Sequence, residues 1–320
     1  MAKYLLKRIG TMLIVIVIVS LATFFLTNLV PGDIVYTVAG SDEIDDAMYD
    51  RIYHELNLDK STIERYGIWV KNALKGDFGM SYAYSKPVWE LIRDRIPTTL
   101  YISIMSIIFS VPIGVLFGII TAVFRKKWPD TVFTLMANIM NCLPQFWIGI
   151  LLMYIFCLKL KWLPSMGFGF PAKVGWAKFI QTSIMPIICG SLNAIAGFTR
   201  QTRTSMLEVI RQDYIRTARA KGISERKVYF KHMMKNGLIP IITVLGGRLA
   251  HILGGSMIIE NIFSIPGMGV LARTSVEGKD IPTLQAIVLI TTLVSCAAYI
   301  LTDIAYVVVD PRISLSESGD

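Results

Sequence analysis

Asp213-Tyr214-Ile215-Arg216-Thr217-Ala218-Arg219-Ala220-Lys221-Gly222 is a charged stretch set between two apolar ones. It lies within residues 200–237, which hold ten Lys/Arg against three Asp/Glu, and apolar runs flank it at about 181–199 and 238–259. A soluble protein has no reason to bracket so basic a block with two membrane-length segments. A membrane protein does, when the block is a platform at the membrane surface.

The rest of the chain agrees. Hydrophobic residues make up 53% of it and charged residues 17%, more apolar surface than a soluble globule can hide. A bilayer core of ~30 Å takes about 20 residues at ~1.5 Å each. Six spans are predicted, at about 9–30, 99–123, 131–157, 181–199, 238–259 and 284–309. The expected fold class is all-α: one polytopic transmembrane domain over 1–320, with an external helical cap over 31–98 and a cytoplasmic loop over 200–237. The first span follows Lys3, Lys7 and Arg8 as a signal peptide would. It is longer than a signal core and no small-residue cleavage site follows, so it reads as a retained helix.

Lys and Arg in short loops set orientation. Three precede the first span, Arg125, Lys126 and Lys127 sit in loop 124–130, and ten sit in 200–237. These segments share one side if all six spans cross, which places both termini in the cytoplasm. The other side takes loop 31–98, with twelve acids and eight bases, and loop 260–283, with a net charge of −1. Loop 158–180 dissents with four lysines and no acid. The excess of nine positive charges thus sits at membrane edges, which fits orientation and argues against a nucleic-acid partner. The four cysteines fall in or at the ends of spans without metal-ligand spacing, and read as small buried hydrophobes. No metal site is expected.

In the cap, 43–58 and 61–75 have helical spacing, and Pro87 to Arg95 reads as a short helix closed by Ile96-Pro97. Phe263-Ser264-Ile265-Pro266-Gly267-Met268-Gly269 is apolar yet full of breakers, so it is expected to dip back into the protein. Phe263, Pro266, Gly267 and Met268 are the candidate external gate. In the basic loop, Arg203 to about Ala220 lacks Gly and Pro and is expected to be helical. Gly222 ends that run, and Ser224 caps a second helix over 225–235. The small residues Ala218 and Ala220 before Gly222 suit insertion into a cleft on a partner.

Ionisable residues at membrane depth are costly and need a reason. Arg248 lies ten residues into the fifth span, with His251 one turn further on the same face, and Asp303 lies at similar depth in the sixth. Either Arg248 pairs with Asp303, or both line a substrate path. Asn141 and Gln145 around Pro144, and Asn193 in the fourth span, either line the same path or join helices. Gly114-x-x-x-Gly118 offers a close helix contact.

The basic stretch, with Ser224-Glu225-Arg226-Lys227-Val228, Lys231-His232 and Asn236-Gly237-Leu238-Ile239-Pro240, resembles the coupling-loop signature of ABC importer permeases of the dipeptide, oligopeptide and nickel branch. Val30-Pro31-Gly32-Asp33, Gly76-Asp77-Phe78-Gly79, Arg95-Ile96-Pro97-Thr98-Thr99-Leu100, Glu260 to Gly269, and Asp303 through Asp310-Pro311-Arg312 are similar to that branch in order and spacing. The broader importer motif opens Glu-Ala-Ala, whereas Thr217-Ala218-Arg219 stands here, as is usual in the branch.

The resemblance implies an ABC importer permease fold with a cytoplasmic coupling helix in the 200–237 loop, residues 213–224 docking into the ATPase. It implies no catalysis by this chain and no cofactor of its own. ATP and Mg would sit on two partner ATPase subunits. The other implied partners are a homologous second permease, an external solute-binding protein and membrane lipid. The chain has no Gly-x-x-x-x-Gly-Lys-Ser/Thr phosphate loop. The expected cargo is a dipeptide or oligopeptide. Nickel or a metal chelate is the alternative, and a secondary transporter is the alternative of another class. The expected location is the bacterial cytoplasmic membrane.

Overall fold

The computed structural model describes residues 2–29, 32–39, 44–237, 239–254 and 257–309. Val30-Pro31 and Asp310 to Arg312 lie outside them. The described residues form helices without a strand. α1 (Ala2–Thr27) is followed by the cap helices α2 (Ile34–Ala39), α3 (Asp46–Glu55) and α4 (Thr62–Ala73). Then come α5 (Val88–Val123), α6 (Trp128–Cys142), α7 (Gln145–Leu152, continued as a π-helical turn to Lys159), α8 (Pro171–Val174) and α9 (Trp176–Val209). The basic module holds α10 (Asp213–Ala220), α11 (Glu225–Lys227), a π turn (Val228–Met233) and α12 (Met234–Gly237). α13 (Ile239–Ala250), α14 (Met257–Ile262), α15 (Met268–Glu277) and α16 (Ile281–Val309) complete the chain.

Four described helices are long and apolar enough to cross a membrane, and α6 with α7 makes a fifth crossing if the bent pair counts as one. α13 has 12 residues and reaches about 18 Å, short of the hydrocarbon core. The fifth span expected over 238–259 is therefore not one helix: it ends at Ala250 in a turn at His251–Gly254.

The third span is also different from the expected single run over 131–157. It bends by 100° between Cys142 and Gln145. Pro144 drives Leu143 out of the helical region, to φ −75 and ψ 128. The second span differs in the opposite sense, since the break expected at Ile96-Pro97 does not occur. α5 runs 36 residues through Pro97 and Pro112. Val88, Leu91 and Ile92 before Pro97 and Ile102 after it are all buried, and that packing outweighs the ~3 kcal/mol a helical proline costs.

α5 and α9 run parallel with backbones in contact. A Cβ on Gly114 would lie 2.5 Å from the Phe198 Cβ, and one on Gly118 would lie 2.8 Å from the Thr199 carbonyl oxygen. The Gly-x-x-x-Gly pair is thus a true helix contact. Gly118→Ala is expected to cost about 1–3 kcal/mol through overpacking, and Gly118→Leu to prevent accumulation in the membrane. Gly67, with open space around it, is the control position. Melting curves of the detergent-purified variants check this, and a Gly118→Ala that melts with the parent refutes it.

Contacts place the basic segments together. Arg8 near the start of α1 meets Asp303 near the end of α16 at 2.7 Å, and Gln285 at the other end of α16 donates to Thr27. Thr243 in α13 bonds Tyr306. Ile119 and Ala122 at the end of α5 share a core with Met206, Ile215, Val228 and Met233. Arg203 clasps Asp130 with two hydrogen bonds of 3.0 and 2.9 Å, tying the end of α9 to the start of α6. So the chain start, loop 124–130 and the 200–237 module lie at one end of the bundle.

The cap packs at the other end. Ser61 and Glu64 form a capping box that starts α4, and Tyr66 on that helix bonds Ser20 of α1 at 2.8 Å. Buried Asp280, just before α16, accepts from the Ser81 hydroxyl at 2.5 Å, the Tyr82 amide at 3.1 Å and the Thr283 hydroxyl at 2.7 Å. Burial, with the Asp280 charge beside it, pushes the Tyr82 phenol up to about 12.

Candidate functional sites

The basic module builds a surface from its own sequence. The continuous helix expected from Arg203 to Ala220 is interrupted: α9 stops at Val209, and Gln212 is extended at ψ 147 before α10. The turn folds α10 back, so that Ile215 and Ala218, one turn apart, bury against Met206 and Val228. Ala218 was expected on the docking surface and is not there, because its spacing from Ile215 puts it on the inward stripe. Asp213, Tyr214, Arg216, Thr217, Arg219, Ala220, Lys221 and Gly222 are outward or at the edge.

Gly222 closes this helix at φ +72. Its amide donates to the Arg219 carbonyl at 2.9 Å, and the Ile223 amide donates to the Ala218 carbonyl at 3.3 Å. That pair of bonds is a Schellman stop, which a left-handed residue makes possible. Arg219 then reaches over the turn to grip Glu225 at 2.8 and 3.2 Å. The Arg219 hydrogen bond holds the Glu225 carboxyl below the usual carboxylate range, and the same bond pushes Arg219 up. α10 is therefore a short rigid bracket, anchored by two apolar side chains inside and one ion pair outside.

A second site lies inside the bundle. Gln145, Arg248 and His251 line one cavity of about 360 Å³, with Ser103 and Gly190 on its wall. Helix breaks put them there: Gln145 opens α7 just after the Pro144 bend, Arg248 is in the last turn of α13, and His251 is in the turn that follows. Asn193 lies beside them, its carbonyl 3.4 Å from the Arg248 guanidinium and its own Oδ1 buried without a donor among the described residues. Asn141 does not join this group. It is exposed and accepts from Arg200 at 3.3 Å. Asp303 is also elsewhere, facing Arg8, so the Arg248–Asp303 pair does not form. α16 presents Asp303 to α1, which reaches it first. The Arg8 Nε and Asp303 Oδ2 are close but poorly aligned for a hydrogen bond, so their attraction is that of an ion pair.

The third site is the turn after α14. Phe263, Ile265, Gly267 and Met268 are buried, while Pro266 is exposed. Fully buried Glu260 accepts from the Thr99 hydroxyl at 2.6 Å, the Gly269 amide at 2.7 Å and the Val270 amide at 3.1 Å. It sits at the N-terminus of α15, where backbone N–H groups and the helix dipole favour an anion. Thr99 in turn accepts from the Met268 amide at 2.8 Å. The sequence reading gives Glu260, Arg8 and Asp280 no role in a site. Only Glu260 carried a signal, as an acid at the edge of an apolar, breaker-rich stretch.

A family model described as "Binding-protein-dependent transport system inner membrane component" matches residues 114–315, and its N-terminal counterpart matches residues 1–103. A "Putative peptide transport system permease protein" of Brucella abortus (strain 2308) is 36% identical over 315 residues, 98% of this chain and 99% of the relative. The "Glutathione transport system permease protein GsiC" of Escherichia coli (strain K12) is 34% identical over 313 residues, 98% of this chain and 99% of the relative. Among solved structures, a chain of the inward-facing MetNI methionine ABC transporter matches with a TM-score of 0.56 at 15% identity, covering 69% of this chain and 96% of that one. At that identity the likeness bears on the fold alone.

Proposed function

The chain belongs to the family of binding-protein-dependent transport system inner membrane components, and from that premise we propose that it carries peptides inward as one of two permease subunits driven by ATPase partners. It is an inner-membrane permease of the ABC importer class. The observation that carries the coupling part is α10: two apolar residues anchor it to the bundle and its charged face projects from the basic end. A bracket held so firmly on one side transmits a push from whatever binds the other. ATP and Mg act on the ATPase subunits, a homologous permease completes the path, and an external binding protein delivers the cargo. Peptide cargo is supported by the printed names of two relatives that align over 98% of this chain.

Both termini face the cytoplasm in this reading, because the structure groups all three basic segments at one end. With the native cysteines replaced, a cysteine at Lys60 is expected to react with a membrane-impermeant thiol reagent added outside intact cells. A cysteine at Ser224 is expected to stay unlabelled until the cells are opened. The reverse pattern overturns the orientation. Co-purification of the chain with an ATPase subunit separates this reading from a secondary transporter, which needs no such subunit.

A further inference from the structure

We propose that the cavity at Arg248 is an anion station, where the carboxylate of a passing peptide is held briefly by Arg248, His251 and Gln145. Other charges buried in the bundle are partnered. Asp303 is taken by Arg8, Asp130 by Arg203, and Glu260 by Thr99 and two amides of α15. Arg248 differs from all of these. Among the described residues its one polar contact is the Asn193 main-chain carbonyl at 3.4 Å, a weak bond to a neutral group.

A half-buried guanidinium without a counter-charge is expensive to keep. The surroundings show what offsets it. The Gln145 amide and the His251 ring open on the same cavity, each delivered by a separate break in a helix. Neither has a hydrogen-bond partner among the described residues. Three polar side chains from two distant parts of the chain thus converge on about 360 Å³, at the small end of ligand-sized pockets. A guanidinium binds a carboxylate through paired hydrogen bonds, and the amide can donate to the same oxygens. The rest of the wall is largely apolar, including Ile107 and Val244, which suits a small peptide's side chains. Few contacts mean weak holding, which a path must have if cargo is to leave.

The test has two arms in the assembled importer, and the second rests on the peptide reading while the first does not. In the first, Ser103→Cys is placed on the cavity wall in a background without native cysteines. It is reacted with an anionic and with a cationic methanethiosulfonate. The anionic reagent is expected to be favoured, and Arg248→Gln to lower the anionic-to-cationic rate ratio by on the order of tenfold. No bias, as when a partner carboxylate neutralises Arg248, overturns the proposal. No reaction with either reagent overturns it too, since no anion then reaches the site. In the second arm, uptake of trialanine and of trialanine amide is measured. Arg248→Gln is expected to cut trialanine uptake about tenfold and spare the amide, with Arg248→Lys intermediate. Equal loss of both peptides overturns the carboxylate assignment. A parent importer that moves neither peptide, yet shows the labelling bias, retains the anion station and sinks the peptide reading instead.

Discussion

Glu260→Ala is expected to destabilise the protein by on the order of 3–5 kcal/mol. The carboxylate accepts from three donors at once, the buried Thr99 hydroxyl and Gly269 amide and the partly buried Val270 amide. Each buried donor left unmade costs about 1–3 kcal/mol, and relaxation recovers part of the sum. Glu260→Gln is expected to lose less. Its carbonyl oxygen can serve the two amides, while its NH₂ turns to Thr99. Thr99 already accepts from the Met268 amide and has a second lone pair for it. Gly269→Ala supplies an independent check on the same turn, because its Cβ would press on the Met257 backbone, which cannot yield. The order of melting temperatures in detergent is expected to be parent, then Glu260→Gln, then Glu260→Ala. An alanine variant that melts with the parent removes the role given to this carboxylate. The result also bears on the gate residues: with Phe263 and Met268 buried around a fixed anion, the turn moves as a body with α15 or not at all.

How far the sequence foretold this depended on whether the deciding interaction was local. The end of α10 was legible because its terminating glycine lies within the same ten residues, but its start was not, since residues 210–212, which separate it from α9, hold no Gly or Pro to announce the break. The two helix breaks at the cavity were half legible. Pro144 ends a helix and Pro97 does not, although both are prolines in apolar surroundings. What separates them is tertiary packing: Leu91, Ile92 and Ile102 bury around Pro97 with the helix continuous, whereas Leu143 and Ile148 beside Pro144 join the core of Met185 and Ile259 with the chain bent, and no local pattern carries that. Ala218 was misplaced for a different reason. Its one-turn spacing from Ile215 was available, but it was weighed as a small residue rather than as part of a stripe. The Arg8–Asp303 pair joins the two ends of the chain, so only the folded bundle could replace the expected Arg248–Asp303 pair with it.

That same distinction between local and tertiary causes sets what Gly222→Val is expected to do. Coupling between ATP hydrolysis and transport should fall at least tenfold, while the amount of protein in the membrane stays normal. Among the described residues no atom lies within 4 Å of where a Cβ would stand on Gly222, so the substitution meets no clash there. Its cost is the backbone. At φ +72 a residue other than glycine is strained by about 1–2 kcal/mol, and a β-branched one by more. That is too little to unfold a bundle whose core lies elsewhere, yet enough to undo the Schellman stop. Without the stop, the segment from Ala220 to Ser224 reorganises, and the Arg219–Glu225 grip, which spans that turn, loses its geometry. Gly222→Asn is the discriminating control, since asparagine tolerates the left-handed region. If it retains coupling, the glycine serves the shape of α10. If it fails as valine does, the partner needs the bare backbone at this point. ATPase stimulation and uptake measured together in proteoliposomes decide the matter. A Gly222→Val importer that couples like its parent leaves residues 213–222 without the role proposed for them.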